Sequence, residues 1–316
     1  MTDDDVTGYD VIGDVHGHVD ALERLLTELG YERSGGAHRQ PEGRQAVFVG
    51  DLIDRGPGQV DTLGLVRAMV EAGAAQVVLG NHEFNAVAFA TPSAGGGWCR
   101  PHNPKNLAQH EAFLAEVGWD SSEHRDWVSW FRTLPLWLDL GGMRVVHACW
   151  DPASMAVLGD GALTDELVAA PEGSAPYEAI EVVLKGPEIH MGGVAYYDND
   201  GHPRGKARFR WWSPEARTSL RAAAEVPGSA HADAEGTVPF GPLPDSAVTG
   251  EWPAPPTDVP VLYGHYWRSG TPTVDVGGTS ACLDWSVAKG GPLVAYRWSG
   301  ESVLDAANLV AVPARA

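Results

Sequence analysis

Residues 46–56 read AVFVGDLIDRG, a short apolar run that ends at a glycine and is followed at once by polar residues. The same order occurs in residues 9–17 (YDVIGDVHG) and in residues 76–83 (QVVLGNHE). Short apolar runs bounded by glycine and polar residues are typical of buried strands. Each segment therefore predicts a strand that ends in a tight turn carrying polar side chains.

The stretches between these strands have helical periodicity. Leucines recur at helical spacing in residues 22–29, Gly30 stands where a helix would end, and residues 63–70 suggest a second helix. Strand, polar turn and helix in alternation are typical of βαβ units and of a mainly parallel sheet. We therefore expect an α/β fold.

Two later apolar runs each deliver one histidine. Residues 143–146 precede His147, and residues 259–263 form a strand just before His265. Because α/β sheets place their ligands beyond the carboxyl ends of parallel strands, we expect these histidines to join the polar turns. A last apolar run, residues 293–298, predicts a late strand that could be antiparallel.

The side chains gathered in this way are carboxylates, an amide and imidazoles. This set of donors suits Mn²⁺, Fe or Zn²⁺ better than it suits a thiolate metal site. Two such ions about 3.5–4 Å apart, bridged by a carboxylate, can hold a phosphoryl group and supply a metal-activated hydroxide that attacks phosphorus. One Gly-Asp pair at a strand end means little, but three polar blocks in this order predict a dinuclear metal centre.

The three blocks resemble those of the PPP-type metallophosphatase family, within the calcineurin-like phosphoesterases. The family pattern is GDxHG, GDxxDRG and GNHE, which residues 13–17, 50–56 and 80–83 match, followed by two separated histidines. The resemblance covers residues 9–85 closely and extends to the two later histidines. It implies a four-layer α/β/β/α sandwich and a phosphoesterase activity.

The resemblance also implies the ligands of two divalent ions, with Mn²⁺ as the expected metal. The matching residues are Asp14, His16 and the bridging Asp51 for one ion, and Asp51, Asn81, His147 and His265 for the other.

Three further residues have predicted roles in the chemistry. His82 directly follows a ligand, so its ring should lie near the metals, where it could protonate the leaving oxygen. Asp54 would fix the orientation of that ring, and the family assigns these two residues the same roles. Arg55 offers a planar fork for phosphate oxygens and for charge that develops in the transition state. His110 has no predicted partner and is expected to be a surface or packing residue.

The residue at position 79 helps to predict the class of substrate. Protein phosphatases of this family usually carry an arginine directly before GNHE, whereas this chain has Leu79. An apolar residue there resembles the symmetrical bis(5′-nucleosyl)-tetraphosphatase branch and its bacterial serine/threonine phosphatase-like relatives. We therefore expect a nucleoside polyphosphate, such as a diadenosine polyphosphate, as substrate. The alternative is a serine/threonine phosphoprotein phosphatase, and a third hypothesis is a binding module without turnover.

Other cations would then bind the remaining phosphates. Lys185, Arg208 and Arg210 are the best candidates for these substrate-binding residues. Trp150, Trp211 and Trp267 are each expected in the core, with stacking on a nucleobase as the alternative.

Composition limits the class of protein. The 316 residues carry a formal net charge of −20 and no stretch rich in lysine or arginine. This composition argues against binding to duplex nucleic acid. No run of about 18 apolar residues occurs, so a membrane span is not expected. The acidic N-terminal residues lack the pattern of a signal peptide, and we expect a cytoplasmic enzyme.

The pattern of elements favours one domain over residues 1–316. Its predicted insertion lies at about residues 152–258, a partly irregular segment whose last part, residues 226–258, is rich in proline, glycine and acidic residues. No internal repeat occurs, and the sequence does not indicate the oligomeric state.

Overall fold

The predicted strand at residues 46–49 overlaps the C-terminal end of β4 (Arg44–Phe48), and its neighbours in the sheet are the strands predicted on either side of it in sequence. The structure, a computed structural model, describes residues 6–34, 37–197, 202–227 and 230–315. Contacts between residues divide the chain into two compact units. The first consists of residues 1–185 and 258–316, and the second of residues 186–257.

The first unit contains eleven of the strands, numbered here in chain order. They are β1 (Gly8–Ile12), β2 (Glu32–Ser34), β3 (Ala37–Arg39), β4 (Arg44–Phe48), β5 (Ala75–Val77), β6 (Trp137–Asp139), β7 (Arg144–Val146), β13 (Val261–Tyr263), β14 (Ser280–Cys282), β15 (Pro292–Trp298) and β16 (Leu309–Pro313). Its helices are α1 (Val19–Glu28), α2 (Gln59–Glu71), α3 (Asn81–Phe89), α4 (Pro104–Val117), α5 (Ser122–Phe131), α6 (Pro152–Leu158), α7 (Asp165–Val168) and α8 (Ala175–Lys185).

Two sheets form the centre of the first unit. One has the order β16-β15-β1-β4-β5, in which β1, β4 and β5 are parallel and β15 pairs antiparallel with both β1 and β16. The other has the order β14-β13-β7-β6, with only β6 antiparallel. The expected α/β class is confirmed, as is the late strand that ends at residue 298.

The core of the first unit lies between these sheets. Val11 and Val47 of the first sheet share one buried cluster with Val145 and Leu262 of the second, and Tyr296 also belongs to it. Helices α1 and α2 contact the five-stranded sheet and each other. Burial of this apolar surface is the main source of stability for such a sandwich.

The second unit contains short elements only. They are β8 (Glu188–His190), β9 (Tyr196–Tyr197), β10 (Pro203–Arg204), β11 (Lys206–Phe209), α9 (Leu220–Ala223) and β12 (Ala224–Glu225). Strands β12, β11 and β8 form one small sheet, and β10 pairs with β9. The unit begins later than the predicted insertion, because residues 152–185 form α6 to α8 of the first unit. Within the described residues, no helix combines the length and apolar character needed to cross a membrane.

A buried ion pair joins three strands of the larger sheet. Asp10 on β1 is fully buried, and both its oxygens accept hydrogen bonds from Arg44 on β4, at 2.8 and 3.0 Å. Arg297 on β15 lies 3.2 Å from the same carboxylate. The Tyr31 hydroxyl donates a further hydrogen bond at 3.1 Å. The carboxylate therefore satisfies several donors that would otherwise be buried without a partner.

We predict that Asp10→Asn lowers the free energy of unfolding by about 3 kcal/mol, because it leaves the partly buried guanidinium groups of Arg44 and Arg297 without their counter-charge. Urea denaturation followed by circular dichroism measures this change. Glu23→Gln is the matched control, since the Glu23–Arg33 pair is exposed and should contribute less than about 1 kcal/mol. An Asp10→Asn protein as stable as the control would contradict the role given to this ion pair.

Candidate metal centre

The predicted ligands lie beyond the carboxyl ends of parallel strands from both sheets. In the larger sheet, β1 leads to Asp14 and His16, β4 leads to Asp51, and β5 leads to Asn81 at the start of α3. In the smaller sheet, β7 leads to His147 and β13 to His265. Residues far apart in sequence converge because the same end of each parallel strand points to one edge of the sandwich.

Asp51 lies between two groups of donor atoms. On one side, its carboxylate is 3.7 Å from Nε2 of His16. On the other, it is 3.4 Å from Nε2 of His147. Asn81 joins the second side, because its Oδ1 lies 3.1 Å from His147 and 2.7 Å from Nδ1 of His265.

Asp14 completes the cluster. Its carboxylate accepts a hydrogen bond of 3.1 Å from the backbone N–H of His265. The structure thus brings all six predicted ligands close together. Two groups of side chains that could hold a metal ion share Asp51, one with His16 and His82 and the other with His147 and His265.

Two imidazoles turn their lone pairs towards this centre. The Nδ1 of His16 donates to the carbonyl of Ile53 at 2.8 Å, and the Nδ1 of His147 donates to the carbonyl of Val49 at 2.7 Å. In a neutral ring, Nε2 is then the nitrogen without a proton, which is the form that binds a metal. The Nε2 of His147 lies 3.1 Å from the Oδ1 of Asn81, so two potential metal-binding atoms lie side by side. A cation is the group that this arrangement fits.

The electrostatics of the buried acids lead to the same conclusion. Burial raises the pKa of Asp14 well above its usual range, and the nearby carboxylates of Asp284 and Asp51 raise it further. Burial lowers the pKa of His16 to about 3, and the neighbouring His82 adds to that effect, so this imidazole is neutral. Several buried carboxylates beside neutral imidazoles are costly unless cations compensate their charge. The residues therefore fit divalent metal ions.

The backbone around the centre is held in an uncommon conformation. Among the described residues, eight non-glycine residues have positive φ, and seven of them surround this site. These seven are His16, Asp51, Asp54, Arg55, His265, Trp267 and Ser286. Left-handed backbone costs about 1–2 kcal/mol for a residue with a Cβ. Such backbone strain is typically found at functional sites, where side chains are held in fixed orientations.

Two glycines make the close packing possible. A Cβ at Gly264 would lie 1.9 Å from the Oδ1 of Asp14, and a Cβ at Gly80 would lie 2.4 Å from the Oδ1 of Asp51. Any side chain at these positions would displace a predicted ligand, which explains the glycines beside Asn81 and His265.

A histidine and a carboxylate flank the metal centre as predicted. The Nδ1 of His82 donates to Asp54 at 2.6 Å. Burial by itself lowers the pKa of His82, but the charge of Asp51 and the hydrogen bond to Asp54 outweigh it and raise the pKa. The guanidinium of Arg55 lies 3.5 Å from the outer nitrogen, Nε2, of His82. The three predicted catalytic residues are therefore neighbours.

His110 is a residue whose role the sequence analysis missed. It is buried on α4, and its Nδ1 donates to the second oxygen of Asp54 at 2.9 Å. The expectation of a surface or packing residue was wrong, because this histidine helps to fix the carboxylate that holds His82. Its helix follows the three motifs in sequence, and no spacing signal links it to them.

Glu83 is a second such residue, although it belongs to the GNHE block. It is fully buried and accepts hydrogen bonds from the backbone N–H groups of Asp51, Leu52 and Gly80 at 2.9, 2.8 and 3.1 Å. Its position in the first turn of α3 is that of a capping-box acid, a signal present in the sequence. Glu83 thereby ties the turn after β4 to the turn after β5.

The predicted substrate-binding cations each have an acidic partner. Lys185, the last residue of α8, forms an ion pair with Glu181 in the same helix. In the second unit, Arg208 lies 2.8 Å from Glu188, and Arg210 lies 2.5 Å from Glu225. Their charges are thus already compensated within their own units. Trp211 is fully buried in the second unit, whereas Trp267 is partly exposed.

The sequence profile described as calcineurin-like phosphoesterase matches residues 9–167, which is half of the chain. The chain belongs to this family. Members use divalent metals, which agrees with the donor groups around Asp51, and the match begins at β1 and includes His147.

The most similar relatives include bacterial proteins named bis(5′-nucleosyl)-tetraphosphatase PrpE [asymmetrical]. That of Halalkalibacterium halodurans is 49% identical over 74 residues, which are 23% of this chain and 30% of the relative. That of Oceanobacillus iheyensis is 32% identical over 139 residues, which are 44% of this chain and 54% of the relative. The matches thus span about half or less of the length of these relatives.

A solved structure shares the fold. A protein serine/threonine phosphatase from Saccharomyces cerevisiae, with similarity to human phosphatase PP5, aligns with a TM-score of 0.51 over 98% of this chain and 79% of its own. The sequence identity is 16%, so this likeness concerns the fold alone.

We predict that Glu83→Gln lowers the free energy of unfolding by about 2 kcal/mol, because the new amide turns an N–H₂ group towards buried backbone donors. Urea denaturation in metal-free buffer measures this effect separately from metal binding. Glu71→Gln, at the exposed last residue of α2, is the control and should change stability by less than about 0.5 kcal/mol. Equal stabilities for the two variants would refute the role assigned to Glu83.

Proposed function

We propose that this chain is a two-metal hydrolase of phosphoric esters and anhydrides, and that its substrate is a nucleoside polyphosphate such as a diadenosine polyphosphate. The observation that carries the proposal is the position of Asp51, whose buried carboxylate is shared by two groups of metal-binding side chains. A pair of ions bridged by one carboxylate is the arrangement that this chemistry requires.

One ion would be held by Asp14, His16 and Asp51, and the other by Asp51, Asn81, His147 and His265. Mn²⁺ is the ion that we favour, and Fe or Zn²⁺ would also suit these oxygen and nitrogen donors. When bound, such ions polarise phosphoryl oxygens and lower the pKa of a water molecule.

The remaining side chains bind the phosphoryl group and protonate the leaving oxygen. The exposed guanidinium of Arg55 can donate to two oxygens of the phosphoryl group and stabilise charge in the transition state. The Nε2 of His82 can give its proton to the leaving oxygen, since Nδ1 is held by Asp54 and the raised pKa favours the protonated ring. Asp54 and His110 act as positioning residues for His82.

Two observations support a nucleotide substrate over a phosphoprotein. The relatives with 32–49% identity are named as tetraphosphatases. Leu79 is fully buried, so the position that usually carries a phosphate-binding arginine in protein phosphatases offers no donor side chain to a substrate. We also propose that residues 1–316 form one catalytic domain with an insertion at about residues 152–258, within which residues 186–257 form a compact unit.

We predict that the purified protein with Mn²⁺ cleaves diadenosine tetraphosphate with a kcat/KM at least tenfold higher than a phosphoserine peptide. Chromatography of the products measures both rates, and it also distinguishes ATP with AMP from two molecules of ADP. The names of the relatives favour ATP with AMP. Faster turnover of the phosphopeptide would overturn the proposed substrate and favour the protein phosphatase.

We predict that His82→Asn lowers kcat on phenyl phosphate by about 100-fold or more, because phenolate leaves slowly without a proton. The loss on p-nitrophenyl phosphate should be smaller, since nitrophenolate is stable unprotonated. This split separates proton donation from a structural defect, which would reduce both rates equally. His190→Asn, at the exposed end of β8, is the control, and full turnover of phenyl phosphate by His82→Asn would exclude the role as proton donor.

A further inference from the structure

Two cations share the indole ring of Trp267. The guanidinium carbon of Arg55 lies 4.1 Å from the centroid of this ring, and the Nζ of Lys289 lies 3.9 Å from it. Among the aromatic residues, tryptophan attracts a cation to the face of its ring most strongly. The ring therefore holds both charged groups at one place on the surface.

This place adjoins the candidate metal centre. The ring of Trp267 is 6.4 Å from the ring of His16, measured between centroids. Arg55 contacts the outer nitrogen of His82, the group proposed to protonate the leaving oxygen. A ligand that reaches from the metals towards solvent on this side would meet Arg55 and Lys289 together.

The short segment after β14 fixes both the indole and the lysine. The carboxylate of Asp284 accepts hydrogen bonds from the backbone N–H of Trp267 at 2.8 Å and of Ser286 at 2.9 Å. Lys289 follows in the same segment, where its N–H donates to the carbonyl of Ser286 at 2.8 Å. A Cβ at Gly291 would lie 2.0 Å from the carbonyl oxygen of Trp285, so the chain packs closely here. The backbone that carries the cations is thus preorganised.

Nearby carboxylates attract both cations, since the charges of Asp51 and Asp54 act on Arg55 and that of Asp284 acts on Lys289. Both side chains are exposed, and among the described residues neither forms an ion pair with a carboxylate, unlike Lys185, Arg208 and Arg210. Partial burial lowers the pKa of Lys289, and the charge of Arg55 lowers it further. The like charge of Arg55 disfavours the charged form of Lys289, and a bound anion beside the lysine would offset this effect.

We propose that Lys289, held at the Trp267 indole beside Arg55, binds a phosphate group of the substrate next to the one that is cleaved. The proposal rests on the proposed function and narrows it to substrates with at least two consecutive phosphates. A phosphomonoester fills only the part of the site nearest the metals. A phosphoanhydride also meets Lys289, which takes the place of the cations expected at residues 185, 208 and 210.

The test compares Lys289→Gln, Lys289→Arg and the wild-type protein, each with Mn²⁺. The ratio of kcat/KM for diadenosine tetraphosphate to that for p-nitrophenyl phosphate should fall about tenfold in Lys289→Gln, the size expected for one charge-assisted hydrogen bond. Lys289→Arg, which keeps the charge, should restore most of the ratio. Arg33→Gln removes one positive charge from an exposed pair at β2 and should leave the ratio unchanged.

A second readout does not depend on which substrate is turned over. Inhibition of p-nitrophenyl phosphate hydrolysis by ADP and by AMP compares two ligands that differ by one phosphate. The ratio of the inhibition constant of ADP to that of AMP should rise about tenfold in Lys289→Gln. Unchanged ratios in both measurements would overturn the role of Lys289.

Different results would contradict the proposed substrate and the proposed role of Lys289. If the wild-type protein hydrolyses p-nitrophenyl phosphate but not diadenosine tetraphosphate, the nucleoside polyphosphate proposal is overturned, while the inhibition ratios still decide the role of Lys289. If both substrates are cleaved and Lys289→Gln slows them by the same factor, the lysine serves stability or the monoester site, and the proposed second phosphate site is rejected.

Discussion

The buried carboxylate of Asp51 is the group on which the rest of the site depends. Its Oδ1 accepts the backbone N–H of His82 at 2.9 Å, its own N–H is held by Glu83, and its carbonyl accepts the N–H groups of Val15 and His16. All three polar blocks are therefore tied to one residue with left-handed backbone at the end of β4. Carboxylates buried close together, such as those of Asp51 and Asp14, are stable only beside positive charge, so bound metal ions would support the fold.

Much of this arrangement follows from the sequence. The apolar runs before Asp14, Asp51 and Asn81 are strands because short buried segments of a parallel sheet are apolar throughout. The polar residues after them converge because parallel strands end at the same edge. His147 and His265 could be added for the same reason, although 118 positions separate them in the chain. The α/β class and the grouping of the six side chains were thus predictable from pattern.

Other parts could not be read from the sequence, because they depend on contacts between segments without a shared pattern. His110 reaches Asp54 from α4, and the cation–indole group forms only when the loops after β4, β13 and β14 meet. Conversely, the lysine and arginines at residues 185, 208 and 210 looked free in sequence, yet each lies beside a glutamate. Whether a cation is neutralised is a property of the folded chain.

Diffraction from crystals soaked in Mn²⁺, recorded at a wavelength where manganese scatters anomalously, tests the dinuclear centre most directly. We predict two anomalous peaks about 3.5–4 Å apart, with the carboxylate of Asp51 in contact with both. A single peak that Asp51 does not touch, or no peak among these six side chains, would contradict the account.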